Sequence, residues 1–317
     1  MSKIEKALQK ARSERGTQIV APPHANEGRQ TNEGRQIVPV EPAVVAPGHE
    51  PRADTTRQIA RMREPQLRNN TDLEQSGIIY PEMQDTNAIK AFREIRTRII
   101  QKTGGRNCTL LVTAIGEQSG ASLVALNLGV AFAFDAGKTA MIIDCNLRQP
   151  SLHKLVAAQS HKGIKDYIGD PEIDVGEIIH SVGIPRLRVV PAGKNRRSSM
   201  EYFTSARMQQ LLVDLKQRFH DRYILLDAPP MSQSADMQIL TEMCDYVLLV
   251  VPYGKVTESQ IARAVKSISE QKFLGVVFNN DPRLPRLDWK GIVRTSPLYR
   301  GAAALLAVVG KKRRRNA

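Results

Sequence analysis

Residues 116–122, GEQSGAS, stand between an apolar run at 108–115 (CTLLVTAI) and a helix-like run at 123–134 (LVALNLGVAFAF). A strand, a glycine-bearing turn and a helix in that order can cradle a phosphate. Backbone N–H groups and the helix N-terminus face the anion, and a hydroxyl at the start of the helix ligates Mg2+. The usual pattern ends Gly-Lys-Ser or Gly-Lys-Thr. Here Gly120 and Ser122 hold the glycine and hydroxyl positions, and Ala121 occupies the position of the lysine. A turn lacking that lysine is by itself an ordinary turn, but two acidic residues add weight. The apolar run 141–144 (MIID) ends on Asp144, and 223–227 (YILLD) ends on Asp227. One aspartate at a strand end commonly caps the next helix. Two of them beside a Gly-x-Ser turn describe a carboxylate pair near a phosphate and its metal. The nucleotide-binding candidates are therefore Gly116, Gly120, Ala121, Ser122 and Arg148, and the metal-side candidates are Ser122, Asp144 and Asp227. Any catalytic role would fall to Asp144 and Asp227.

Phosphoryl transfer needs positive charge set against the negative charge that develops on the transferred group. Between Thr103 and Gly137 the only basic residue is Arg106, ahead of the first strand, and Lys138 enters the second strand at its amino end. Arg148, just past Asn146, is the one cation that sequence proximity offers.

The elements that must position these residues follow an alternating pattern. Strands are expected at 108–115, 139–146, 187–193, 223–230, 246–254 and 274–280, and amphipathic helices at 87–101, about 120–135, 205–219 and 257–271. Apolar strands alternating with such helices predict an α/β fold, a doubly wound and mostly parallel sheet of the P-loop NTPase kind, with ligands at the carboxyl ends of the strands. Ahead of it, residues 16–80 carry the near-repeat NEGRQ-TNEGRQ, and seven prolines fall between 16 and 75. That composition predicts a disordered linker. Residues 1–15 read as an amphipathic helix, with Ile4, Ala7, Leu8 and Ala11 on one face, suited to docking. The domain is placed at 81–285 and a C-terminal tail at 286–317.

The run MIIDCNLRQPSLHKLV (141–156) resembles the second Walker-type motif of bacterial tyrosine kinases, the cytoplasmic proteins of capsule and exopolysaccharide synthesis, whose members read Asp-x-Asp-Leu-Arg-x-Pro. The similarity continues through KGIKDYIGD (162–170), 189–230, SADMQIL (234–240), 244–259 and LGVVFNN (274–280), covering about 85–281 in order. The opening SKIEKALQKA resembles kinases of exosortase-type exopolysaccharide loci. The resemblance implies ATP or ADP with Mg2+ as ligands and a chain-length-determinant (polysaccharide co-polymerase) membrane protein as partner. It also implies a homo-oligomer built through a Glu-x-x-Arg-x-x-Arg helix, here Lys90, Arg93 and Arg96. Against that pattern the loop lysine is Ala121, and the second aspartate of the motif is Asn146. The C-terminal tyrosine cluster, where the family autophosphorylates, is reduced to Tyr299 beyond Leu284. These losses together predict a catalytically impaired regulatory or scaffolding subunit of polysaccharide synthesis and export. An active tyrosine autokinase and a MinD-like positioning ATPase are the rival readings.

The chain has 317 residues and a formal net charge of +14, which points to an anionic partner. An apolar segment, Ala302 to Val309, precedes Lys311, Lys312, Arg313, Arg314 and Arg315. That combination suits a solvated tail or attachment to anionic lipid. Nucleic acid is not the expected partner, because the basic residues are not interleaved with aromatics. Cys108, Cys145 and Cys244 lack metal-ligand spacing. With a charged N-terminal sequence and no apolar run near the roughly 18 residues that span a bilayer, the expected location is cytoplasmic, with membrane contact only peripheral.

Overall fold

A computed structural model describes residues 62, 66–83, 86–155, 162–194, 202–219, 221–232, 236–279 and 305–309. The N-terminal docking helix, most of the linker, Tyr299 and the basic run Lys311–Arg315 lie outside the described residues. Two helices come first, α1 (Asn70–Gln75) and α2 (Thr86–Thr103), and then strand β1 (Thr109–Ala114), helix α3 (Ala121–Ala133) and strand β2 (Thr139–Asp144). Two short helices, α4 (Ile164–Gly169) and α5 (Val175–Ile178), precede β3 (His180–Ser181) and β4 (Leu187–Val190). The remainder is α6 (Ala206–Arg218), β5 (Arg222–Asp227), α7 (Asp236–Met243), β6 (Tyr246–Pro252), α8 (Glu258–Lys266), β7 (Phe273–Asn279) and β8 (Leu305–Val309).

These strands make one sheet in the order β3-β4-β2-β5-β1-β6-β7-β8, parallel throughout except for the antiparallel β3–β4 pair. The α/β, mostly parallel architecture expected from the sequence is present. Every residue of β1, β2 and β5 is buried, as strands covered on both faces require. Side chains in a strand alternate between faces. Leu110, Val112, Ala140, Ile142, Tyr223 and Leu225 join the core formed with α2 and α3. Leu111, Met141, Ile143, Ile224 and Leu226 join the opposite core, with α4 to α7.

The chain passes from β1 to β2 on one side and places β6 on the other, so β1 lies beside a reversal of winding. Ligands of such sheets bind at this point, beyond the carboxyl ends of the strands. Helix α3 begins there and is buried from Val124 to Ala133. Its matching partner is α2, whose Ile89, Phe92, Ile95 and Ile99 are buried as its periodicity predicts.

The boundary between linker and domain falls earlier than residue 80. Residues 66–80 were expected to be linker, but they pack on the domain. Leu73, Ile78, Ile79 and Tyr80 are buried in the α2–α3 core. Arg68 donates to the carbonyls of Val182 (2.9 Å) and Leu155. The anchor is Asn127, inside α3: its Oδ1 accepts from Ile79 N–H at 2.7 Å, and its Nδ2 donates to Gly77 O at 3.0 Å and to Leu123 O at 3.1 Å. A buried amide with all these groups paired fixes the segment in one register. At the other end, Leu305–Val309, from the apolar stretch ahead of the basic run, pair with β7 as the edge strand β8.

Replacing Asn127 by Ala leaves the Ile79 N–H buried without a partner and frees the exposed Gly77 from its tie to α3. The expected loss is about 2–3 kcal/mol of unfolding free energy, read from urea denaturation midpoints at unchanged slope.

Candidate functional site

The turn after β1 is built by backbone. Ile115 N–H donates to Val250 O at 3.3 Å, and the Ser119 hydroxyl donates to Gly116 O at 2.5 Å. Gly120, the N-cap of α3, has φ 79° and ψ 21°, the left-handed region where glycine is unstrained. It also lies directly under a side chain: Asn279, at the end of β7, donates from Nδ2 to Ser119 O at 2.8 Å, and a Cβ on Gly120 would overlap that amide. Gly120 supplies no side-chain cap, so α3 presents its first N–H groups, those of Ala121, Ser122 and Leu123, at the loop. An uncapped helix N-terminus after a tight glycine turn favours an anion.

The two aspartates meet across the β2–β5 ladder, where Asp144 pairs in register with Asp227. Both share the strand parity of Ile142 and Leu225, which puts them on the α3 face of the sheet, beside Ser122. Both are fully buried. Their surroundings differ. Asp144 accepts three backbone N–H bonds, from Asn146 at 3.2 Å and from Ser151 and Leu152 at 3.0 Å each. Burial raises its pKa to about 6, against the opposing pull of those N–H groups and of Lys165. Neither carboxylate oxygen of Asp227 has a hydrogen-bond partner among the described residues. Burial, with the charge of Asp144 added, pushes its pKa up to about 8. The Ser122 hydroxyl comes close enough to lower it, short of full hydrogen-bond geometry.

An orphaned buried carboxylate with a hydroxyl beside it and a second carboxylate in register is a set of hard oxygen donors of the kind Mg2+ takes. Among the described residues no three His, Cys, Asp or Glu side chains converge as a complete metal cage. Mg2+ held by Asp227 and Ser122 would therefore complete its shell with water and phosphate oxygens, its usual habit.

Of the remaining sequence candidates, Gly116 and Ala121 lie in the loop and at the first turn of α3, and Arg148 is exposed on the segment that Asp144 braces. Arg93 and Arg96, expected at an oligomer contact, grip the far end of α3 in their own chain. Arg96 donates to Ala131 O at 2.9 Å, and Arg93 lies 5.8 Å from the Phe134 ring centroid. Two residues near the site escaped the sequence reading. Asn279 sat in a run read only as a strand end. Lys165 sits on α4, and its Nζ donates to Leu147 O at 3.0 Å, inside the Asp144 loop. Proximity in sequence could find Arg148 but could not bring α4 to the end of β2.

The chain is 30% identical over 191 residues to the tyrosine-protein kinase CpsD of Streptococcus agalactiae serotype III, spanning 59% of this chain and 80% of that kinase. No protein-family model matches. Among solved structures, the chimerical protein CapA2B2 superposes with a TM-score of 0.57 at 23% identity, over 71% of this chain and 97% of that one. The kinase domain of the Escherichia coli tyrosine kinase ETK gives 0.57 at 19%, over 71% and 92%. At these identities the superpositions speak for the fold.

Asp227 has a folded pKa raised above its unfolded value near 3.9, so the native state holds a proton that the unfolded state releases between about pH 4 and 8. Stability conferred by this group is present at low pH and lost as pH rises through that window. Asp227→Asn is therefore expected to flatten the fall in stability between pH 5 and 8. At pH 8, without Mg2+, it should stabilise the protein by roughly 1–3 kcal/mol, because the amide, though still unpartnered, cannot ionise in the buried site. Thermal melts across pH measure both.

Proposed function

Since the chain belongs to the bacterial tyrosine-protein kinase family, we propose that it acts at the cytoplasmic face of a membrane as a regulatory or scaffolding subunit of exopolysaccharide synthesis and export. In this reading its state is set by binding rather than by phosphoryl transfer. The partner is a chain-length-determinant membrane protein. No helix among the described residues is long and apolar enough to cross a membrane, so attachment would come through that partner, with the basic run Lys311–Arg315 adding attraction to anionic lipid.

The observation that carries the reading is the loop itself. Its backbone retains the glycine turn, the uncapped helix N-terminus and the Ser122–Asp227 pair, while residue 121 offers a methyl group in place of an ammonium. Backbone N–H groups of α3 would hold a polyphosphate, and Asp227 with Ser122 would hold Mg2+, which supplies charge neutralisation when bound. That arrangement is sufficient for binding. It lacks the loop cation that stabilises charge on a transferring phosphoryl group, and removing one such preorganised donor typically lowers kcat by about 10²–10³. Asn146 likewise replaces a carboxylate of the family motif.

Titration calorimetry with Mg·ATP and Mg·ADP tests the reading alongside Ala121→Lys. The wild type is expected to bind, and the lysine to tighten ATP binding by roughly ten- to a hundredfold, the 1.5–3 kcal/mol of a charge-assisted hydrogen bond. Labelled ATP, with the partner's cytoplasmic segment present, should leave no phosphotyrosine on the wild type. Robust labelling would sink the regulatory reading and favour an active autokinase.

A further inference from the structure

A phosphate site without a loop lysine still needs positive charge, and three described lysines can be compared by where they lie and what they already do. Lys138 donates to Gly105 O at the amino end of the sheet. Lys162 is paired with Glu177. Lys165 differs. It is half-buried, its Nζ bonds Leu147 O at 3.0 Å, and no carboxylate lies within ion-pair distance of it among the described residues. An ammonium group has three N–H donors, and a single protein acceptor uses one of them.

The mounting of this lysine is stiff. Its own N–H donates to Ala192 O at 3.0 Å, and that of Ile164 to Pro191 O at 2.9 Å, so the start of α4 is tied to the chain leaving β4. Asp166 Oδ2 accepts from Gly163 N–H at 2.9 Å and from Lys194 N–H at 3.1 Å, closing the clasp from the other side. The two segments pass so close that a Cβ on Gly163 would overlap the Pro191 carbonyl and the Gly193 backbone. Since β4 is the neighbour of β2, the clasp delivers Lys165 to the loop that follows Asp144, close enough for its charge to be felt there.

We propose that Lys165 is the phosphate-facing cation of this site: from the β4–β2 side of the carboxyl edge it supplies the positive charge that residue 121 does not, and its two unused N–H donors bind the terminal phosphate of a nucleoside triphosphate. The inference rests on the reading of the 116–122 turn as a phosphate site. It also assigns α4 and the Pro191–Gly193 turn a purpose, because a flexible lysine is useful as a fixed charge only if its backbone is held.

Lys165→Gln is the decisive variant, since a glutamine amide can keep the hydrogen bond to Leu147 O while losing the charge. Calorimetry with Mg·ATP and with magnesium tripolyphosphate is expected to show about tenfold weaker binding for Lys165→Gln and a shallower dependence of affinity on salt. Lys165→Arg should bind within about threefold of wild type. The double variant Ala121→Lys with Lys165→Gln should recover the lost affinity, because the charge returns from the other side. Circular dichroism melts check that each variant is folded, and Lys165→Met provides a second charge deletion should the glutamine form fail that check. Wild-type binding that is unchanged in the folded charge deletions overturns the role of Lys165 and leaves the phosphate site standing. If the wild type binds neither Mg·ATP nor tripolyphosphate, both the inference and the reading beneath it fall.

Discussion

The ladder between β2 and β5 sets Asp144 opposite Asp227, and the arrangement of the site depends on how the fold tolerates two buried carboxylates there. Like charges this close, away from water, do not both ionise freely. The fold resolves the conflict by treating them unequally. Asp144 receives three backbone N–H bonds and serves as the post around which residues 146–152 are wound. Asp227 receives none from the described residues and is left facing Ser122. A one-residue slip of either strand would send one carboxylate to the opposite face, among Met141, Ile143 and Leu226. Because the apolar runs before each aspartate are buried on both faces, what resists that slip is the cost of moving a carboxylate in among those apolar side chains.

The shape of the 116–122 turn is secured independently of the residue at 121. Gly120 in the left-handed region, the Ser119 hydroxyl on Gly116 O, and the Asn279 amide on Ser119 O hold the backbone. Each is a local or cross-strand constraint that a change of side chain at 121 does not touch. A lysine there would contribute charge to a ligand, and its loss removes charge without unmaking the turn. This is why the loop keeps its backbone geometry whatever side chain stands at 121.

Much of this was legible in the sequence. The alternation of apolar runs and amphipathic segments foretold β1, β2, β4, β5, β6 and β7 and the helices α2, α3, α6 and α8, because buried parallel strands and half-buried helices carry different periods. The carboxylate pair was legible from two strand ends. Strand order was not, since periodicity records what each strand buries and leaves its neighbours unspecified; the adjacency of β2 to both β5 and β4 is the fact that brings Asp227 and Lys165 to the same loop. Residues 66–80 were misassigned because prolines and charges dominate the composition around them, although Ile78, Ile79 and Tyr80 form an apolar patch large enough to dock. The partner of that patch, Asn127, is a polar residue inside an otherwise apolar helix, and its purpose is visible only when Gly77 and Ile79 are seen against it.

The departures from the family motifs also make sense as a set. Relative to the pattern of a loop lysine and an Asp-x-Asp pair, Ala121 removes one positive charge and Asn146 removes one negative charge. The balance between cations and carboxylates at the carboxyl edge is therefore preserved, although both residues differ. Asn146 keeps a side-chain acceptor, which Gln149 N–H uses at 3.3 Å, so the turn after β2 retains its internal bond without the carboxylate. Changing both residues together leaves the hydrogen bonding of the turn after β2 in place.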